Sequence, residues 1–212
     1  MSETRSTTES LARHWDAAYA KSGVRGVSWY QADASVSLEL FDALGVGPDS
    51  AVVDVGGGAS VLAERLVARG FSDVSVLDVS AEALAEARSR AGDGSPIRWL
   101  HDDLLLWRPE RRFDVWHDRA VFHFLVAPAD RGRYLETLLA ALRPGGAVVL
   151  GTFAADGPDH CSGLPVARYS TEDLTELLEA DFELVETRRE KHVTPAGVMQ
   201  PLAWVAARLR VA

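Results

Sequence analysis

Cysteine is nearly missing from this chain: Cys161 is the single one among 212 residues. No internal disulfide can form, and a paired-cysteine metal or redox motif is excluded. Basic side chains are in deficit, 22 Lys and Arg against 31 Asp and Glu, for a formal net charge of −9. That sign repels phosphate backbones and anionic lipid, so neither nucleic acid nor a membrane is an expected partner. The nearest thing to a basic patch, Arg108 to Arg112, reads as a solvated turn. Long apolar runs are missing too, since no stretch approaches the ~20 residues of a membrane span. The first ten residues, MSETRSTTES, lack the apolar centre of a secretion signal, and a cytoplasmic protein is expected.

With 47% apolar and 25% charged residues, the chain has the balance of a globular protein, and its length favours one domain over two. We read residues 1–212 as that domain. A helical arm or lid over 1–45 precedes a ligand-binding core over 51–153, and 154–212 adds a loop, a helix and two strands. In the arm, Leu11, Trp15, Ala18 and Tyr19 recur at helical spacing, and Leu40, Phe41 and Leu44 mark a second helix. Strand-like runs then alternate with amphipathic segments: 51–55, 74–79, 97–100, 113–117 and 147–153. Ser80 is placed to cap the helix after the second run, and RPGG (143–146) to end the helix before the fifth. These runs are continuously apolar, as buried parallel strands are. The fold class is therefore α/β, a doubly wound, mostly parallel sheet. Residues 182–190 and 201–210, joined by TPAG, predict an antiparallel pair at one edge, and Ser170–Asp173 predicts a capping box.

Three consecutive glycines, Gly56, Gly57 and Gly58, close the first strand and open the next helix. Glycine surrenders the most backbone entropy on folding, so three in a row point to a place where backbone must be approached closely. In an open α/β sheet that place is the ligand crevice beyond the strand tips. A dinucleotide fingerprint needs a third glycine where Val61 stands, so a nicotinamide cofactor fits poorly. A nucleoside carrying no pyrophosphate fits better. Asp78 ends the second strand, 24 residues past Asp54, where a carboxylate accepts from ribose hydroxyls. Asp102 and Asp103 follow the third strand, placed to meet an exocyclic amine.

Taken in order, VVDVGGGAS, SVLDVS, WLHDDLL, FDVWHDRAVFHFL and LRPGGAVVLGTF resemble the class I S-adenosylmethionine-dependent methyltransferases, over roughly residues 10–210. The resemblance implies a seven-stranded Rossmann-like sheet, S-adenosyl-L-methionine as cofactor and S-adenosyl-L-homocysteine as product. It implies that Asp54, Gly56, Gly57 and Gly58 lie beneath the methionine part. Asp78 with Val79 would meet the ribose, and Asp103 with Leu104 the adenine, Asp102 being the alternative one residue away. Where the family often has a further glycine in this loop, the chain has Ser60. WDAAYAKSGVRGVSWYQ, WHDRA and DRGRYLETLLAALRPGG are similar, more loosely, to the subgroup methylating small thiols, halides, metalloids and thiopurines. That implies a Trp-containing arm over the cofactor, for which Trp29 and Tyr30 are the candidates.

A small-molecule methyl acceptor is the expected partner, with the protein a monomer or homodimer. A protein lysine methyltransferase and a non-catalytic binding domain are the competing readings. His117, Asp118 and Arg119, after the fourth strand, are the candidate catalytic residues, against helix capping by Asp118 and core packing by His123. Trp15 and Tyr19 are expected to pack the two N-terminal helices together. His160 and Cys161 are too few for a metal site, and none is expected.

Overall fold

Apolar side chains fall on both faces of the central strands, as a sheet covered from two sides demands. The computed structural model describes residues 2–211, with the side chains of 8–211. Helices α1 (Ser2–Ser22) and α2 (Ser35–Ala43) lead into an alternation of strand and helix. Its members are β1 (Val52–Val55), α3 (Leu62–Ala68), β2 (Val74–Asp78), α4 (Ala81–Ala91), β3 (Arg98–His101) and β4 (Phe113–Arg119). A 3₁₀ turn at Phe122–Phe124, α5 (Pro128–Ala141) and β5 (Leu142–Phe153) complete it. A small ribbon of β6 (His160–Cys161) and β7 (Leu164–Pro165), then α6 (Thr171–Leu178), precede the long strands β8 (Phe182–Val193) and β9 (Met199–Leu209).

The main sheet has seven strands in the order β3-β2-β1-β4-β5-β9-β8. The first five are parallel, and β9 runs antiparallel to both its neighbours. Val52, Val115 and Val149 face α2 and α3 through Leu40, Phe41, Leu62 and Leu66. Val53, Val55, Val148 and Leu150 face α5 and α6 through Tyr134, Leu138, Leu174 and Leu178. Strand order reverses between β1 and β4, so a crevice opens beyond their carboxyl ends.

Both expected caps are present: Ser80 Oγ accepts from Ala83 N at 3.1 Å, and Ser170 with Asp173 closes a capping box on α6. The boundaries differ more. α1 begins at Ser2, well before the apolar spacing that marks it. α5 stops at Ala141, so RPGG belongs to the start of β5, where the pairing with β4 shifts register between Phe113 and Val115.

Two contacts fix the middle of the sheet. Gly151 of β5 lies opposite Trp204 of β9, and a Cβ there would stand 2.6 Å from the indole. On the other face the Trp116 indole N–H donates to Tyr134 Oη at 2.9 Å, and Tyr134 donates to Asp118 Oδ2 at 2.8 Å. Asp118 also accepts from the backbone N–H of Val121 and Phe122, so it anchors the 3₁₀ turn. Burial lifts its carboxyl to about 7, despite these donors.

Gly151→Ala should destabilise the protein by about 1–3 kcal/mol, read from urea midpoints, because the indole has nowhere to retreat. For Asp118 the folded carboxyl holds its proton more tightly than the unfolded one, whose ordinary value is 3.8. Stability from this group therefore declines as pH rises from about 4 to about 7. Asp118→Asn should flatten that slope in a series of urea midpoints.

Candidate functional site

The crevice is built around the turn from β1 into α3. Gly56 and Gly58 have φ of +62° and +47°, a region that L side chains resist. Each bare Cα is also pressed by neighbours. A Cβ at Gly56 would collide with the Val121 side chain, and one at Gly57 would stand 2.5 Å from Asp54 Oδ2. One at Gly58 would stand 2.7 Å from Tyr19 Oη and 3.1 Å from Asp78 Oδ2. What comes so close to this backbone is in large part the protein itself.

Acids stand at three adjacent strand tips. Asp54 on β1 and His117 on β4 are register partners, and Asp54 Oδ1 lies 2.7 Å from His117 Nδ1. The far ring nitrogen, Nε2, meets Ser37 Oγ of α2 at 2.9 Å. Asp54 Oδ2 is buried without a partner. Asp78 Oδ1 accepts from Ser80 N at 2.7 Å, and burial, reinforced by the charge of Asp54, lifts this carboxyl to about 6. Asp103 accepts from Leu105 N at 2.9 Å and from Thr8 Oγ1 at 2.6 Å. Asp102 Oδ1 accepts from Asp103 N at 2.8 Å.

Two cavities meet over this turn. The larger, about 200 Å³, brings together Asp78, Val79, Asp102, Asp103 and Leu104, and reaches Phe124, Leu125 and Cys161 on its other side. The smaller, about 50 Å³, brings together Asp54, Gly57, Tyr30 and His117. Gly56, Tyr19, Trp29 and Arg119 line both. The first could take a nucleoside and the second only a short tail. Gly58 and Asp118 line neither cavity. The Asp118 side chain is turned to the α5 face and spent on Tyr134 and the 3₁₀ turn.

Among the described residues, Arg119 is the Lys or Arg side chain that lines both cavities. Its Nη1 donates to the Trp29 carbonyl at 2.9 Å, while Nε is buried without a partner. Burial lowers this guanidinium from its ordinary value, and the charges of Glu190 and Asp54 support it. His123 Nδ1 accepts from Phe153 N, and burial with nearby Arg119 lowers the ring to about 3, so it is neutral. Burial pushes the Cys161 thiol to about 11. His160 is exposed and paired with Asp159. Among the described residues no cluster of three metal-ligating side chains occurs, and no helix is long and apolar enough to cross a membrane.

Sequence reasoning expected an arm or lid over 1–45 but missed what Trp15, Tyr19, Thr8 and Asp16 of α1 touch. Trp15 and Tyr19 do not bind α1 to α2. Trp15 meets the rings of Trp29 and Phe124 edge-on, at 5.5 and 5.0 Å, and Tyr19 Oη accepts from the Trp29 indole at 3.0 Å. Thr8 reaches Asp103, and Asp16 Oδ1 accepts from Ser80 Oγ at 2.7 Å. The partners of Thr8 and Asp16 lie 95 and 64 residues away in the chain. Nothing local could signal these contacts.

Comparison with known proteins agrees with this geometry. Residues 52–146 match the model of a family described as a methyltransferase domain. Malonyl-[acyl-carrier protein] O-methyltransferase 1 of Ilyobacter polytropus is 24% identical over 135 residues, 61% of this chain and 49% of that protein. Thiocyanate methyltransferase 1 of Arabidopsis thaliana is 27% identical over 143 residues, 66% of this chain and 60% of that one. The chain thus spans about half the length of the curated relatives it matches. Among solved structures, a Burkholderia thailandensis 1,6-didemethyltoxoflavin-N1-methyltransferase, with S-adenosylhomocysteine bound, superposes with a TM-score of 0.69. It is 23% identical, covering 98% of this chain and 87% of that one. The glycine turn at the switch point and the acids on the three strand tips thus lie within residues 52–146, the segment that matches a methyltransferase domain, on a sheet whose fold is shared with a solved methyltransferase.

Proposed function

We propose that the protein transfers a methyl group from S-adenosyl-L-methionine to a small-molecule nucleophile. The observation that carries this reading is the convergence of Asp54, Asp78 and Asp103 on two joined cavities around one glycine turn. The residues suit the cofactor. Asp78 would accept from the ribose hydroxyls, with Val79 beside it, and Asp103 with Leu104, or Asp102, would meet the adenine. The unpartnered Asp54 Oδ2 would accept from the ammonium of the methionine end. Trp29 and Tyr30 would cover the junction. When bound, the cofactor supplies a methyl already activated by its sulfonium.

The protein's own part is then alignment and exclusion of water. A base is hard to find among the candidates. His117 is engaged at both nitrogens, Asp118 lies on the other face, and His123 uses Nδ1 as an acceptor from backbone. An acceptor that arrives deprotonated or is intrinsically soft, such as a thiolate or a halide, needs none. The likeness to a protein named for thiocyanate supports the same class. Arg119, which lines both cavities and leaves its buried Nε unpartnered, would meet the negative charge of such an acceptor. A monomer or homodimer suffices for this chemistry.

Calorimetry should detect S-adenosylhomocysteine binding, and Asp78→Ala should weaken it at least about tenfold, the loss of hydrogen bonds to a charged acceptor. The pH dependence follows from Asp78. Ribose hydroxyls favour the ionised carboxylate, so binding to the free protein, with its carboxyl at about 6, must expel a proton when pH is below that value. Affinity should therefore fall as pH is lowered through about 6 and level off above it, less so in Asp78→Asn. For the acceptor, release of S-adenosylhomocysteine is measured with a panel of thiols, iodide, thiocyanate and phenols. Turnover of soft nucleophiles is expected. Turnover of phenols alone would remove the soft-acceptor reading, methyl label appearing in protein would favour a protein substrate, and binding without any turnover a non-catalytic domain.

A further inference from the structure

From the line of contacts Ser37 Oγ–His117–Asp54, we infer that His117 is a positioning residue that aims Asp54 at the amino-acid end of the cofactor, itself held in place by Ser37 of α2. This rests on the cofactor reading above and assigns His117 a task other than contact with the methyl acceptor. The three side chains come from three elements, β1, β4 and α2, and each residue is only 2% exposed. An ionised carboxylate can only accept, so His117 Nδ1–H is the donor to Asp54 Oδ1. In the neutral ring Nε2 then accepts from the Ser37 hydroxyl. Phe41 and Trp204 bracket the imidazole, each with its ring centroid 6.1 Å away, leaving it little freedom to rotate.

The consequence lies at the other carboxylate oxygen. With Oδ1 tied back to His117, Asp54 Oδ2 has no partner, although a buried polar atom without one is costly. It sits directly under Gly57, and Asp54 lines the smaller cavity. An oxygen kept unsatisfied by rigid neighbours is a preformed acceptor. The group that answers it is a cation at the end of a short chain. A ligand without that end gains nothing from it.

Two ligands separate these effects: S-adenosylhomocysteine, which has the amino-acid end, and 5′-methylthioadenosine, which lacks it. His117→Leu should raise Kd for the first at least about tenfold and leave the second within about twofold, since one hydrogen bond to a charged group is lost. His117→Asn, whose amide can stand near the ring Nδ1, should recover most of the difference. Ser37→Ala, which removes only the outer hold, should give the same selective loss on a smaller scale and serves where the leucine variant fails to fold. In turnover, KM for the cofactor should rise with kcat retained at saturation. Equal weakening of both ligands, or a fall in kcat alone, would overturn the assignment. Absence of S-adenosylhomocysteine binding by the unmodified protein would instead overturn the functional reading on which it rests.

Discussion

The crowding at the β1–α3 turn is the constraint on which the structure depends. Val121 from the β4 side, Asp54 from β1, Tyr19 from α1 and Asp78 from β2 all press on three adjacent backbone units. Side chains from four directions can converge there only because none rises from Gly56, Gly57 or Gly58. The same economy brings the acids of β1 and β2 within reach of one ligand. A larger residue at any of these positions would part the elements that make the site as well as narrow it.

Electrostatically the site spends stability on readiness. Asp78 is held in surroundings that favour its neutral form, and Arg119 keeps a buried donor without an acceptor. Asp54 keeps an acceptor without a donor. Each is a cost to the free protein that a complementary ligand would remove. Asp118 shows the opposite arrangement on the other face of the sheet. It too resists ionisation, yet its oxygens are satisfied by Val121, Phe122 and Tyr134, and it serves the fold.

Much of this was legible in residue order. Continuous apolar runs at 51–55, 74–79 and 147–153 give buried parallel strands, and the glycine triplet with Asp78 and Asp103 gives the strand tips, because strand period and turn chemistry are local properties. RPGG was misplaced because proline and glycine also begin a strand when the preceding helix has already ended at Ala141. Side-chain direction beyond the tips was not legible. Adjacent on β4, His117 and Asp118 point to opposite faces, and only pairing with Asp54 tells which one reaches the cavity. Nor could the contacts of Thr8 and Asp16 be anticipated, being decided by where α1 lands on α4 and on the tip of β3.

The insertion of β9 between β5 and β8 has a bearing on how the chain is made. The edge of β5, with Val148, Val149 and Leu150, receives its partner only when Val205, Ala206 and Ala207 are available. On a ribosome those residues emerge only after β6, β7, α6 and β8, so the hydrophobic margin of the half-built sheet waits unpaired while these are made. Such a margin is adhesive. The newborn polypeptide therefore passes through an interval in which that margin is open to pairing with another strand.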